Sequence, residues 1–471
     1  MKMLNKIILS VILMTFSLFA QQQNISGIWA GKLELPNSMK LTIVFNIVKD
    51  DSGIYHTTLD SPDQGAKGIP TESTIITGDS ILIKIPVVQG FYSGKIFYDE
   101  MKIDGKWTQG GMSLDLTVKK VEKLEGRNRP QEPKEPFPYN SEELLFENEF
   151  DGVVLAGTLT FPKEGNNFPA VVLITGSGAQ NRDEELLGHK PFLVLSDYLT
   201  RNGFAVLRYD DRGIGKSTGN FSTATSEDFA KDVFSAVEFL KTRNGINKSK
   251  IGLIGHSEGG LIAPMVANQT KDVAFIILMA GPGIPGDSIL YLQDQLISKA
   301  AGENDEEIQR SKALQRKLFQ TVVNINDNDV LKSELTKIFK EILATLSDED
   351  KQKLGDPEVY MKQQIKTLTS PWFKYFLSYN PVPTLEKVKC PVLALNGEND
   401  LQVPYKQNLS SIESTLKKAG NKNFEIKSLP GLNHLFQTSK TGAVSEYGQL
   451  EETISPLALE TMLNWLKKTT K

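Results

Sequence analysis

The stretch Lys250–Pro264, KIGLIGHSEGGLIAP, decides the fold. Its first part, KIGLIG, is a short apolar run of the kind that forms a buried strand, and GLIAPMVANQT beyond it has helical spacing. Between them Ser257 lies between Gly255 and Gly259. A G-x-S-x-G pattern by itself is a weak signal. It gains meaning where a strand leads in and a helix leaves, because a tight strand-to-helix turn then presents the serine hydroxyl. Such a turn brings backbones close and strains the serine, so glycines on either side have a physical task. Neighbouring side chains on so sharp a turn point apart. His256 is therefore read as scaffolding under the sheet edge, and Glu258 as the donor of a backbone N–H.

Working outward, strands and helices alternate. PAVVLITGSG (169–178), FAVLRYDDRG (204–213), IGLIGHS (251–257) and FIILMAGPG (275–283) read as strands. LVLSDYLTRNG (193–203) and SEDFAKDVFSAVEFLKT (226–242) read as helices. Alternation of this kind predicts a largely parallel sheet covered by helices on both faces. It stops between about 284 and 381, where the pattern is polar and helical and ends in SPWFKYFLSYNP (370–381). It resumes at CPVLALNGEND (390–400). A helical insertion within the sheet is the simplest account. Upstream, about 24–124 is rich in Ile, Val and Thr between turns such as DDSG and TGDS, the pattern of a small barrel or sandwich. GRNRPQEPKEPFPYN (126–140) carries four prolines and reads as the linker between the two.

A serine hydroxyl needs a base. Of the four histidines, His56 lies in the β-rich region, His189 precedes the nucleophile and His256 adjoins it. His434, in LPGLNHLF just beyond the last predicted strand, remains. The base in turn needs a carboxylate to fix its tautomer. Asp400 in LNGENDLQVP is the choice, with Glu398 and then Asp287 as alternatives, and the order Ser257, Asp400, His434 suits this type of sheet. Charge developing on a substrate carbonyl needs N–H donors. Glu258 offers one, and the loop ITGSGAQNRD offers the other at Ser177, with Gly178 next. Asp211 and Arg212 in YDDRGIGKSTG (209–219) are read as braces beneath the site. The glycines of TGSGAQ lack the pattern of a P-loop or dinucleotide site, and no cluster has metal-ligand spacing, so neither cofactor nor metal is expected.

The 471 residues exceed one ordinary domain, and a net charge of -4 gives no footprint for nucleic acid. The N-terminus has Lys2 and Lys6, the apolar run IILSVILMTFSLF (7–19) and then Ala20, which reads as a secretory signal cleaved after Ala20. A secreted or periplasmic protein is expected, without stable membrane insertion after cleavage. Cys390 is the one cysteine, so export proceeds without an intramolecular disulfide.

With GHSEGG, YDDRGIGKS, LNGENDLQVP and LPGLNHLF in that order, the chain from about Glu142 to Lys471 resembles the α/β-hydrolase superfamily. It is most similar to bacterial carboxylesterases with an extra N-terminal domain and a helical cap. The resemblance carries Ser257, Asp400 and His434 over as a triad, with Ser177 and Glu258 as oxyanion donors. One departure is Thr175-Gly176, where such enzymes usually carry His-Gly. The expected architecture is a signal peptide over 1–20, a β-rich domain over 21–125, the linker 126–140, and an α/β-hydrolase sheet over 141–471 with its cap at about 284–381. The expected activity is a serine carboxylesterase acting on small-molecule short-chain acyl esters, with Trp372, Phe373 and Phe376 as candidate lining. Serine aminopeptidases and acyl-peptide hydrolases share the triad, so a peptidase or amidase is the alternative. A non-catalytic glycan- or lipid-binding protein is the second.

Overall fold

The computed structural model describes residues 24–35, 40–64, 66–124, 128–347 and 356–471. The predicted signal segment lies outside them. Among the described residues no helix is long and apolar enough to cross a membrane.

Where β-branched residues alternate with polar ones, the described residues form nine strands. These are β1 (Gly27–Glu34), β2 (Lys40–Lys49), β3 (Tyr55–Ser61), β4 (Ala66–Pro70), β5 (Ser73–Thr77), β6 (Ser80–Ile85), β7 (Gly90–Phe97), β8 (Lys102–Gln109) and β9 (Met112–Val121). They make one antiparallel sheet in the order β4-β3-β2-β1-β9-β8-β7-β6-β5. The sheet curls until its far ends meet. Thr74 Oγ1 donates to Thr57 Oγ1 and Thr71 Oγ1 to the Thr57 carbonyl, both at 2.7 Å. Curling buries Trp29, Phe45, Tyr92 and Trp107 inside.

The second sheet comprises β10 (Asn140–Asn148), β11 (Val153–Phe161), β12 (Phe168–Ile174), β13 (Ala205–Tyr209), β14 (Ile246–His256), β15 (Val273–Met279), β16 (Val392–Gly397) and β17 (Phe424–Leu429). The order is β10-β11-β13-β12-β14-β15-β16-β17, antiparallel at the β10–β11–β13 edge and parallel from β13 to β17. The helices between and beyond its strands are α1 (Pro191–Arg201), α2 (Ser226–Thr242) and α3 (Glu258–Ala267), then α4 (Gly286–Ala300), α5 (Asp305–Asn324), α6 (Asn328–Thr345), α7 (Pro357–Leu368), α8 (Pro371–Ser378) and α9 (Val382–Leu385), then α10 (Tyr405–Lys418), α11 (Val444–Tyr447) and α12 (Pro456–Thr469). This is the α/β-hydrolase architecture with a helical insertion between β15 and β16, preceded by an all-β unit.

Successive side chains of a strand face opposite ways, so each parallel strand feeds two cores. Ala170, Val172 and Ile174 pack with α2, α3 and α10. Val171 and Leu173 pack with α1 and α12. The insertion has its own apolar cluster, built on Phe319, Leu331, Leu335, Phe339 and Phe373. Leu187, Leu435 and Tyr447 of the hydrolase unit complete the core of the curled sheet, so the all-β unit is docked on the loop that carries His434. The Pro-rich connection runs along the same seam. Arg129 donates to the carbonyl of Gly188 at 2.8 Å and to that of Gly448 at 3.2 Å, and Gln131 donates to that of Ile454 at 2.6 Å.

After β13, two buried ion pairs hold the YDDRG loop. Asp210 is gripped by Arg182 through two side-chain contacts of 2.8 and 3.0 Å. Arg212 donates to both oxygens of Asp232, at 2.7 and 2.8 Å, and to Asp151 at 2.9 Å. Buried ions left without a partner are costly, whereas apolar replacement of a whole pair is often tolerated. Replacing Arg212 by Met strands Asp232 and is expected to lower unfolding stability by about 3–5 kcal/mol. Arg212→Met combined with Asp232→Leu should recover much of the loss, both read by urea denaturation.

Candidate active site

β14 delivers Ser257 to the sheet's carboxyl edge, and α3 begins at the next residue. Ser257 sits at φ 53°, ψ -119°, a conformation that L residues avoid. Close backbone packing enforces it. A Cβ on Gly255 would lie 2.0 Å from the Gly259 carbonyl oxygen, and one on Gly259 would lie 2.2 Å from that of Ile174. Neither position admits alanine without moving backbone. The serine side chain is half-buried at the start of a helix, where the first N–H groups, that of Glu258 included, have no partner within the helix.

The two far-off elements meet beside this turn. His434 Nδ1 lies 2.8 Å from Asp400 Oδ2, with both side chains buried. The other carboxylate oxygen, Oδ1, accepts the amides of Gln402 and Val403, each at 2.8 Å. Asp400 is thereby fixed from two directions, and it holds the imidazole with Nε2 left for proton transfer. The alternatives stand elsewhere. Glu398 is exposed and accepts from Ser428 Oγ at 2.8 Å, and Asp287 accepts the neighbouring amide of Ser288 at 2.6 Å. His56 is exposed, paired with Asp50 at 2.8 Å. His189 is buried, bonded to Thr453 Oγ1 at 2.9 Å and to the Tyr447 carbonyl at 2.8 Å.

His256 does more than fill space. Its ring lies against that of His434, centroids 4.8 Å apart. Nδ1 is 2.9 Å from Glu184 Oε1, and Nε2 is 2.9 Å from the His434 carbonyl oxygen. A carbonyl can only accept, so Nε2 carries a proton. Glu184 Oε1 already accepts the Gly176 amide at 2.7 Å, so Nδ1 donates as well. Both ring nitrogens thus face acceptors, an arrangement that favours the protonated ring. Burial opposes that charge, but the Glu184 carboxylate and the His434 carbonyl outweigh it and raise the His256 pKa above 6.5. Glu184 thus ties three loops together: Gly176 of the loop after β12, His256 before Ser257, and His434 through its backbone. Sequence reasoning missed it, because one acid among several in NRDEELLG has no distinguishing spacing.

The loop after β12 faces Ser257. A Cβ on Gly176 would lie 3.2 Å from Ser257 Cβ. Ser177 and Gly178 are exposed beyond it. Beneath, Asp211 accepts from Thr175 Oγ1 at 2.8 Å and from the Gln180 amide at 2.9 Å, which braces the loop. Burial pushes the Asp211 carboxyl well up, and the nearby Glu258 adds to the effect. The Glu258 side chain is also buried. It accepts from Ser226 Oγ at 2.6 Å and from Trp372 Nε1 at 2.8 and 2.9 Å, and Ser177 bonds to it as well. Burial raises its pKa against those bonds. Trp372 therefore latches α8 to the residue after Ser257, and Phe376 stacks on it at 5.4 Å. Phe373 turns the other way, into the cluster of the insertion, and does not line the site. The three aromatics are four residues apart at most, and a helix spreads them over more than one face.

Residues 151–427 match the X-Pro dipeptidyl-peptidase (S15 family). That span is more than half of the chain. The chain belongs to the S15 family. The match to S15 includes Ser257 and Asp400 and leaves out the curled sheet. Among curated proteins, the chain is similar to the esterase EstD of Thermotoga maritima, 25% identical over 334 residues, which covers 70% of each chain. It is also similar to the bifunctional esterase/perhydrolase DCH of Acinetobacter calcoaceticus, 23% identical over 261 residues, covering 53% of this chain and 82% of the relative. A solved esterase of Pyrococcus furiosus aligns at 16% identity and TM-score 0.44, over 74% of this chain and 100% of its own. The S15 match and the esterase relatives together make this chain a hydrolase.

A protonated His256 has a measurable signature. A histidine whose folded pKa is raised adds stability that is complete below its unfolded value, 6.5, and is lost as pH rises through the folded value. The stability gap between the native chain and Glu184→Gln, from urea denaturation, should be larger at about pH 5.5 than at about pH 9. Equal gaps would mean a neutral His256.

Proposed function

We propose that this hydrolase is a serine carboxylesterase that cleaves short-chain acyl esters through an acyl-enzyme on Ser257. The 2.8 Å bond between Asp400 and His434 beside the strained Ser257 turn carries the reading. In it, His434 Nε2 takes the Ser257 proton as Oγ attacks the ester carbonyl. The tetrahedral oxyanion is met by the Glu258 amide and by the loop at Ser177. His434 then returns the proton to the leaving alcohol, and the acyl group stays on Ser257. A water deprotonated by His434 attacks the acyl-enzyme, and the acid departs with Ser257 restored. Asp400 holds the ring and stabilises the imidazolium at both stages. The esterase names of two relatives support an ester substrate.

The S15 match supports a second reading, a peptidase or amidase working through the same residues. A panel of nitrophenyl acyl esters against aminoacyl and X-Pro amides separates the two. Turnover of amides alone would replace the esterase assignment. We also propose export to the periplasm or beyond, on the strength of the basic and apolar segment before Ala20. N-terminal sequencing of the protein recovered from the cell envelope or medium tests it, and a chain still beginning at Met1 would rule out cleavage.

Ser257→Ala is expected to lower ester kcat by at least about 10⁴-fold, and Asp400→Asn by roughly 10⁴-fold. Glu398→Gln should stay within about twofold of the native rate, since loss of an exposed group away from the reacting atoms removes no transition-state contact. Comparable losses in the Asp400 and Glu398 variants would displace Asp400 as the acid.

A further inference from the structure

The proposed chemistry leaves unused a cavity of about 730 Å³ in the all-β unit, bordered on one side by α7 of the insertion. Leu41, Ile43, Leu59 and Trp107, all buried, form its floor, and the half-buried Ile69, Met112 and Leu114 its walls. Polar side chains of Ser61, Gln64, Gln89 and Gln109 share the lining, and the space opens to solvent. It falls in the range of small-molecule sites, about 300–1,000 Å³. Curled sheets of eight or so strands are known to be just wide enough for one small ligand.

The rim has a different chemistry. Gln363, Gln364 and Lys366 project from α7 onto the opening. Lys366 is exposed, and no carboxylate among the described residues pairs with it. The helix is fastened where it meets the sheet, because the Asp356 amide donates to the Gly111 carbonyl of the β8–β9 turn at 2.8 Å. A pocket with an apolar floor and Lys366 at its mouth complements an amphipathic anion. We propose that this cavity binds a long-chain carboxylate, with its hydrocarbon tail among Leu41, Ile43, Leu59 and Trp107 and its head group at Lys366. The site is separate from Ser257 and does not depend on the esterase reading.

The test is a fluorescence titration of the full chain with 11-(dansylamino)undecanoic acid, its carboxylate the head group. Saturable binding of one probe per chain is expected, with a Kd on the order of 10 μM. Ser257→Ala should bind equally, because the catalytic serine is not involved. Met112→Trp, which fills the wall, should abolish binding. Lys366→Glu, an exposed change that leaves the fold alone, should weaken it about fivefold. Replacing the probe's carboxylate with an amine should weaken binding as well. No saturable binding by the native chain would overturn the proposal, as would equal binding by Met112→Trp and Lys366→Glu. Tighter binding of the amine probe would reverse the head-group assignment.

Discussion

The site rests on backbone contact at the Ser257 turn. Gly255, Gly259 and Gly260 lie where any Cβ would strike main-chain atoms of the elbow, of the end of β12 or of Gly281. Those contacts clamp the end of β14 between its neighbours and force α3 to start at once, which drives Ser257 to positive φ. Strain of this kind, of order 1–3 kcal/mol, survives only where the surroundings over-determine it. Here they do, since two apolar cores grip the sheet from opposite faces.

Around that clamp the polar groups are arranged by charge. Glu184 and His256 pair while joining three loops, and Asp400 holds His434 from the far side. Glu258 carries a second set of bonds upward to Trp372, so the insertion touches the residue next to Ser257. The all-β unit adds Leu33, Leu41 and other core residues around Leu435, next to His434. Each part that binds elsewhere in the chain is thus within a residue or two of the proposed chemistry.

Much of this was legible in the sequence. The strand–turn–helix around Ser257, the helical break in the sheet after β15 and the all-β start all follow from periodicity and glycine placement, which are local properties. Elimination among four histidines pointed to His434. Less legible were Glu184 and the roles of individual aromatics. Trp372 faces Glu258 whereas Phe373 enters the insertion's core, because a helix's orientation on its neighbours is set by packing and not by its own pattern. The scaffolding role read for His256 did not name its partner, since a neighbour in sequence reveals nothing of an acid 72 positions away.

What the sequence determined by itself was the order of elements and the turn that holds Ser257, for both are fixed by short-range sterics and by the period of apolar residues. Only the tertiary structure decided that Asp400, not Glu398 or Asp287, meets His434, that Glu184 meets His256, and that α7 borders a cavity in the curled sheet. Each of those depends on contacts between segments far apart in the chain. The distances between such segments are set by the packing of whole layers, which no local pattern encodes.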